Sequence, residues 1–348
     1  MKKGQVTIKD IAKELNISCS TVSRALKDFP GISPNTRKAV KELADKYNYR
    51  PNAVALSLRN QRTNVIGVII PETVHFFFST VISGIEDEAM KEGYNVMICQ
   101  SIESFEREAD SIDALMSARV DGLLVDISRE TSDLAHLQKV VEEGVPMVFF
   151  DRLVEGMNAP SVIVDDYQGA YDAVEHLIQQ GCKDIAHLAG PGNLIIGRKR
   201  IEGYTSALED NEMPIKKDFI VECRNGTQEE AEQAMDQLLA SGKKIDGVFA
   251  NNDMAALGAL KSIKKAGLKI PEDIAVIGYS DWQFCSLVNP SLSSVSQPGY
   301  EMGKEACKLI FKEINKTNIE KSTIKILDTE VVVRESSNKL GVIQPLAN

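Results

Sequence analysis

Residues 6–26 read V-T-I-K-D-I-A-K-E-L-N-I-S-C-S-T-V-S-R-A-L, and their spacing decides what the first part of the chain is. Ile8, Ile11, Ala12 and Leu15 share one face of a helix of about two turns, with Thr7 as its N-cap. Asn16 accepts the left-handed conformation that ends such a helix. Ile17 restores an apolar anchor, and Ser18 is set to cap a second helix reaching Ala25 and Leu26. Ala12 is small where two helices must cross closely and Val22 packs back on the first helix, so Cys19, Ser20, Ser23 and Arg24 stay outward. Two short helices around a tight break, with a polar outer face, make a helix-turn-helix.

A third helix opens at Ser33-Pro34, a cap followed by proline at the first helical position, and Val40, Leu43, Ala44 and Tyr47 close the small core. Beyond it, Asn52 to Arg59 (N-A-V-A-L-S-L-R) has helical composition but spans about two turns, too short to be stable alone in water. The charge follows the same division. Residues 1–62 hold 13 Lys and Arg against five Asp and Glu, a formal +8, so the remainder carries −18 of the total −10. A basic head on an acidic body suits a head that neutralises phosphates while the body stays off the polyanion.

The stretch 6–26, then Ile32-Ser33-Pro34-x-Thr36-Arg37, then Tyr49-Arg50-Pro51-Asn52-Ala53-Val54-Ala55-x-Ser57-Leu58, resembles the lactose-repressor (LacI/GalR) family of bacterial regulators over the first 60 residues. The resemblance implies that Cys19, Ser20 and Arg24 read the major groove. Arg24 takes the larger share, because a guanidinium forks onto guanine O6 and N7. Thr7, Ser18, Thr21, Ser23 and Asn35 are phosphate-positioning or capping residues, and capping alone accounts for Thr7 and Ser18. It also implies that Leu58 is an apolar wedge in the minor groove with Arg59 beside it; Leu56 is the better candidate for meeting the sensor or the partner hinge.

From Asn64 short β-branched runs alternate with amphipathic helices: N-V-I-G-V-I-I-P, a helix from Phe78 to Glu92, N-V-M-I-C-Q, a helix through Ala118, G-L-L-V and P-M-V-F-F. A second series, expected to start at S-V-I-V, runs through D-I-A-H-L-A, F-I-V-E, G-V-F-A and I-A-V-I-G. Two open parallel sheets follow, hence two lobes with a cleft. The expected fold class is an all-α helix-turn-helix head plus an α/β two-lobed sensor like the periplasmic binding proteins. Its divisions are a reader at 1–50, a hinge at 51–62 and an effector-binding and dimerisation domain at 63–348.

In open α/β sheets ligands bind beyond the carboxyl ends of the strands. Those positions hold Phe77 and Phe78, Asp151-Arg152, Asp165-Asp166, Asn251-Asn252-Asp253 and Ser280-Asp281-Trp282, a set that suits a polyol or sugar. The family likeness extends here through D-R (151–152), R-x-x-G-Y (200–204), N-D-M-A-A-L-G (252–258) and Gln297-Pro298, and implies Asp151, Arg200 and Asn252 as effector ligands. The family often has Asp directly after G-Y, where this chain has Ser280 with Asp281 next, so Asp281 is a weaker candidate. Asp165, Asp166 and Asp253 are read first as helix caps. Of Phe76, Phe77, Phe78 and Trp282, at least one is expected to line the cleft or an interface. The loop Gly190-Pro191-Gly192-Asn193 lacks the third glycine of a dinucleotide fingerprint and reads as a cleft-edge turn.

The six cysteines and four histidines show no metal-ligand spacing, so neither metal nor cofactor is expected. The charged start Met1-Lys2-Lys3-Gly4-Gln5 and the lack of any apolar run of about 18 residues point to the cytoplasm, without a membrane partner. A transport binding protein would have no use for the basic head. An enzyme would need a G-x-S-x-G, a P-loop or paired histidines, none of which occurs. The expected function is an effector-controlled DNA-binding regulator, most simply a repressor. It works as a homodimer on a pseudo-palindromic operator and takes a sugar or sugar derivative, the alternative being a protein corepressor of the catabolite-control type. Val331 to Asn348 holds no leucine heptad that would add a tetramer helix.

Overall fold

The computed structural model describes residues 6–49, 62–316 and 323–341, so Leu56, Leu58 and Arg59 of the hinge lie outside the described residues. The chain divides into two compact units, Met1–Asn64 and Val65–Asn348.

The first unit contains α1 (Ile8–Glu14), α2 (Cys19–Leu26) and α3 (Pro34–Lys46). Each start has the expected local cause. Thr7 is the N-cap of α1, and the Asp10 carboxylate accepts both its backbone N–H at 2.8 Å and its hydroxyl at 2.6 Å. Ser18 accepts the Thr21 N–H at 3.1 Å, and Ser33 accepts that of Thr36 at 3.1 Å ahead of Pro34. Asn16 takes the left-handed turn at φ 50°. Ile11, Ala12, Val22, Ala25, Val40, Leu43 and Ala44 are buried together. From the rim, the Tyr47 hydroxyl donates to Glu14 at 2.8 Å.

The second unit holds two sheets. The first has β1 (Val65–Ile70), β2 (Asn95–Gln100), β3 (Gly122–Val125), β4 (Met147–Phe150), β5 (Ser161–Val164) and β11 (Ile324–Leu327), all parallel, in the order β11-β5-β4-β3-β1-β2. The second has β6 (Ile185–Ala189), β7 (Ile220–Glu222), β8 (Gly247–Ala250), β9 (Ala275–Ser280), β10 (Ser293–Ser296) and β12 (Glu330–Val332), in the order β12-β10-β9-β8-β6-β7, with β12 antiparallel. Central strands are buried on both faces, which is why they read as unbroken apolar runs. In β4, Val148 and Phe150 enter one core layer while Met147 and Phe149 enter the opposite one, the period of two of a pleated strand.

One expectation is corrected here. S-V-I-V (β5) is the fifth strand of the first sheet, paired with β4 through Phe149↔Ser161, and not the first strand of the second series. The chain changes lobes after it, since the following helix α7 (Asp166–Gln179) packs in the second lobe. It returns after β10, with α11 (Gly299–Ile314) packed against the first sheet, and crosses again between β11 and β12. Strand pattern records burial and carries no information about which sheet is joined. No helix among the described residues is long and apolar enough to cross a membrane.

Candidate functional site

On the outer face of α2, Cys19, Ser20 and Arg24 are exposed and Thr21 and Ser23 half-buried, while Val22 and Ala25 face the core. Asn35, in the first turn of α3, is exposed, as is Thr7. The Ser18 hydroxyl lies 2.7 Å from that of Ser20 and 2.9 Å from that of Thr21, so capping of α2 absorbs part of the hydroxyl set. Arg24 lies 5.7 Å from the Phe29 ring, a cation–π contact that supports the guanidinium without neutralising it. Ser18→Ala is expected to lower the stability of the reader by about 1 kcal/mol, read as faster amide exchange across residues 19–26. Unchanged protection would mean the cap contributes nothing.

The cleft lies between the two lobes of the second unit and has a volume of about 140 Å³, room for on the order of ten water-sized positions. Its lining comes from the carboxyl ends of strands in both sheets. The first lobe gives His75, Phe77 and Phe78 after β1, Glu103 after β2, Arg129 after β3, and Asp151 and Arg152 after β4. The second gives Pro191, Leu194, Ile196, Gly197 and Arg200 after β6, Arg224 to Gly226 after β7, Asn251 and Asn252 after β8, and Ser280 at the end of β9 with Trp282 beyond it. Gln297, on the crossing after β10, accepts from the Ser280 hydroxyl at 2.7 Å.

Arg200 sits on α8 (Ile195–Asp210), 5% exposed. Its Nε donates to Asp166 Oδ1 at 2.8 Å, with Nη2 2.7 Å from the same oxygen as an ion pair, its Nη1 donates to the Asn251 carbonyl at 2.6 Å, and it stacks 3.6 Å from the Tyr279 ring centroid. Arg152 donates to both oxygens of Glu103 at 2.8 and 2.7 Å and to the Ile127 carbonyl at 2.7 Å, with Asp126 3.8 Å away. Burial pulls the Glu103 carboxyl up, but the Arg152 hydrogen bonds and charge outweigh it and hold the carboxyl below its ordinary range. Asp151 lacks such pairing. Burial pushes it to about 6 against the opposing charge of Arg152. It also sits in the left-handed region at φ 59°, as Ser280 (φ 107°) and Asp281 (φ 53°) do on the other side, conformations costing on the order of 1–3 kcal/mol each and concentrated at functional sites.

Three sequence-level readings change on contact with this geometry. Asn252, not Asp253, caps α10 (Asp253–Lys265), accepting the Ala255 N–H at 2.7 Å while its Nδ2 donates to Gly226 at 3.1 Å. Asp253 is fully buried and accepts from Ser294 Oγ at 2.6 Å and from the Trp282 N–H at 2.8 Å, so it positions Trp282. Asp165 does cap α7, accepting from Gln168 at 2.9 Å, whereas Asp166 is the partner of Arg200. Asp281 turns away from the cleft to accept from Arg334 at 2.6 Å, and Ser280 lines the cleft in its place. Phe77, Phe78 and Trp282 all line it, and the His75 ring meets Trp282 edge-on at 5.0 Å across the lobes. Gly190 to Asn193 forms the cleft edge. A Cβ on Gly197 would come within 2.3 Å of the Pro191 carbonyl, so that approach needs glycine. Glu103, Arg129 and Arg224 were not anticipated, although the post-strand rule that singled out Asp151 reaches them two to four residues past β2, β3 and β7.

Both units match known families. Residues 7–52 match the family model described as bacterial regulatory proteins, lacI family, and residues 63–332 match periplasmic binding proteins and sugar binding domain of LacI family. Catabolite control protein A of Priestia megaterium is 33% identical over 322 residues, 92% of this chain and 96% of that protein. The ribose operon repressor of Halalkalibacterium halodurans is 33% identical over 334 residues, 95% and 97% of the two chains. The lac repressor dimer bound to operator and the anti-inducer ONPF superposes with a TM-score of 0.85 at 26% identity, covering 95% of this chain and 99% of that one. With a capped helix-turn-helix, a two-sheet body and matches along nearly its whole length, the chain belongs to the LacI family of bacterial DNA-binding transcription regulators.

Proposed function

We propose that the chain is a homodimeric repressor whose operator affinity is set by a sugar or sugar derivative bound in the cleft, with reader, hinge and sensor divided at 1–50, 51–62 and 63–348. The observation that carries the ligand reading is the cleft itself. Asp151, Arg200 and Asn252 converge with Phe77, Phe78 and Trp282, polar groups for hydroxyls beside aromatic faces for the ring. One Asn252 Nδ2 hydrogen remains after its bond to Gly226. In the reader, Cys19, Ser20 and Arg24 take the base edges, with Thr7, Ser18, Thr21, Ser23 and Asn35 at the phosphates. Leu58 and Arg59 take the minor groove. Ligand closure alters the spacing of two marginal hinge segments and thereby couples cleft to DNA by on the order of 1–3 kcal/mol.

The test is fluorescence anisotropy of a selected palindromic duplex titrated at two salt concentrations, with wild type and Leu58→Ala, before and after candidate sugars. Salt-sensitive binding that weakens in the variant and shifts with one sugar, in the absence of any partner protein, supports the reading. A shift obtained solely on adding a protein corepressor would replace the sugar by the catabolite-control alternative.

Dimerisation is supported by β2, which ends its sheet and exposes Met97 (43%) and Ile98 (37%), while Met90 (70%) is exposed near the end of α4 (Phe76–Lys91). An apolar sheet edge of this kind needs a cover. Met97→Glu is expected to weaken self-association at least about tenfold, measured by sedimentation velocity. An unchanged dimer would move the interface elsewhere.

The pH dependence follows from Asp151. As a carboxylate it accepts ligand hydroxyls, and its pKa of about 6 makes it an acceptor above that pH and a neutral acid below. Effector affinity is expected to fall about tenfold between pH 7 and pH 5 by calorimetric titration, and Asp151→Asn to flatten the profile. An equally steep profile in the variant would assign the titration to another group.

A further inference from the structure

Four arginines line the cleft, and their partners divide them into two classes. Arg152 and Arg200 have their charge balanced by Glu103 with Asp126 and by Asp166. Arg129 and Arg224 are different. Arg129 Nη1 donates to the Arg224 main-chain carbonyl at 3.0 Å, and among the described residues neither guanidinium forms an ion pair with a carboxylate. The acids on the same wall do not make up the difference. Both Glu103 oxygens are held by Arg152, one of them also by the Arg129 backbone N–H at 2.6 Å, and among the described residues Asp151 forms no ion pair with Arg129 or Arg224. Glu130 and Glu222 are exposed; they line a second depression that Arg129 and Arg224 also border and do not line the cleft. Glu230 is occupied by the backbone N–H groups of Arg224 and Asn225 at 2.9 and 2.7 Å.

The two guanidiniums come from opposite lobes, after β3 and after β7, where the lobes already touch. Asn193 Nδ2 donates to the Arg129 carbonyl at 2.8 Å, beside the Arg129–Arg224 contact. We infer that the effector is an anionic carbohydrate, a sugar acid or sugar phosphate, whose hydroxyls face Asp151, Arg200 and Asn252 and whose charged group is clamped between Arg129 and Arg224. Both arginines line the cleft from opposite lobes, so an anion that takes charge-assisted hydrogen bonds from the two would tie the lobes together. A neutral sugar fills the same floor but leaves the clamp empty. This assignment rests on the cleft being a carbohydrate site and specifies its ligand class.

The experiment uses the full-length protein and calorimetric titration with matched sets: glucose, glucuronate and glucose 6-phosphate; galactose, galacturonate and galactose 6-phosphate; ribose, ribonate and ribose 5-phosphate. In at least one set an anion is expected to bind about tenfold or more tightly than its neutral parent, and the carboxylate and phosphate arms identify the source of the charge. Arg224→Gln and Arg129→Gln bring the anion-to-neutral ratio toward one, while Arg224→Lys keeps part of it. Circular dichroism melts confirm that the variants fold. A neutral sugar binding as tightly as its anionic partners, or discrimination surviving in both glutamine variants, overturns the anionic assignment and leaves the sugar site standing. Absence of binding by every member of the panel overturns both.

Discussion

Arg200→Ala is expected to destabilise the sensor by about 3–5 kcal/mol and to abolish its response to effector, the largest loss foreseen for a single side chain. Breaking a buried ion pair by deleting one partner leaves the other charge without compensation, and that penalty is about 3–5 kcal/mol. Arg200 fits the case closely. It is 5% exposed, ion-paired with Asp166 through one carboxylate oxygen, bonded to the Asn251 carbonyl and stacked on Tyr279. Removing it strands the buried Asp166 carboxylate and cuts a tie between α7, α8 and the end of β8. Burial already pushes the Asp166 carboxyl up against the opposing Arg200 charge, so in the variant it rises further. A folded pKa above the unfolded value means that the folded state binds the extra proton. Stability is therefore recovered as pH falls toward the unfolded value near 4 and lost as pH rises through the folded one. Urea unfolding at pH 7.5 and pH 5.5 gives the comparison, with a smaller deficit at the lower pH. A cost below about 1 kcal/mol at both would mean that Asp166 finds water or another donor, and the pair would lose its structural role. Replacing both members by apolar residues of similar volume is expected to be milder than Arg200→Ala alone, while still silencing the cleft.

What the sequence disclosed depended on how local the physics is. Caps and breaks such as Thr7, Asn16, Ser18 and Ser33-Pro34 are decided within four residues, and the structure has all of them. The strands were legible because burial on both faces leaves long apolar runs. Their grouping was not, since β5 joins the first sheet through a pairing with β4 that pattern alone does not encode. The choice between Asn252 and Asp253 as cap turned on Ser294 and the Trp282 N–H, about 30 to 40 residues away, which give the aspartate a buried site of its own. Asp281 and Ser280 exchanged roles because Arg334, 53 residues on, draws the carboxylate off the cleft. Arg129 and Arg224 escaped notice for a related reason. An arginine in a loop is common, and what singles these two out is the absence of an acid pair among the described residues, a property of the folded surroundings.

In the proposed operator complex Arg24→Ala is expected to lower affinity by about 1–3 kcal/mol per half-site. A two-fold symmetric dimer makes the contact twice, so the total is roughly 2–6 kcal/mol, about thirtyfold or more. Arg24 is exposed on the outer face of α2, its guanidinium supported by Phe29 at 5.7 Å, while Val22 and Ala25 anchor the opposite face in the core. The loss can therefore be read at the interface and not as unfolding of the reader. Base readout and phosphate contact are separated by salt. If Arg24 forks onto a base, log K against log salt keeps nearly the same slope in the variant and preference relaxes at one base pair in each half-site. If it holds a phosphate, the slope falls by about one per contact and affinity drops uniformly over sequences. Arg24→Lys is expected to restore little, because a lysine carries the charge without the planar fork. Anisotropy titrations on the selected duplex and on one altered at that base pair decide between them. A variant that binds both as the wild type does would remove Arg24 from the recognition surface and shift readout to Cys19 and Ser20.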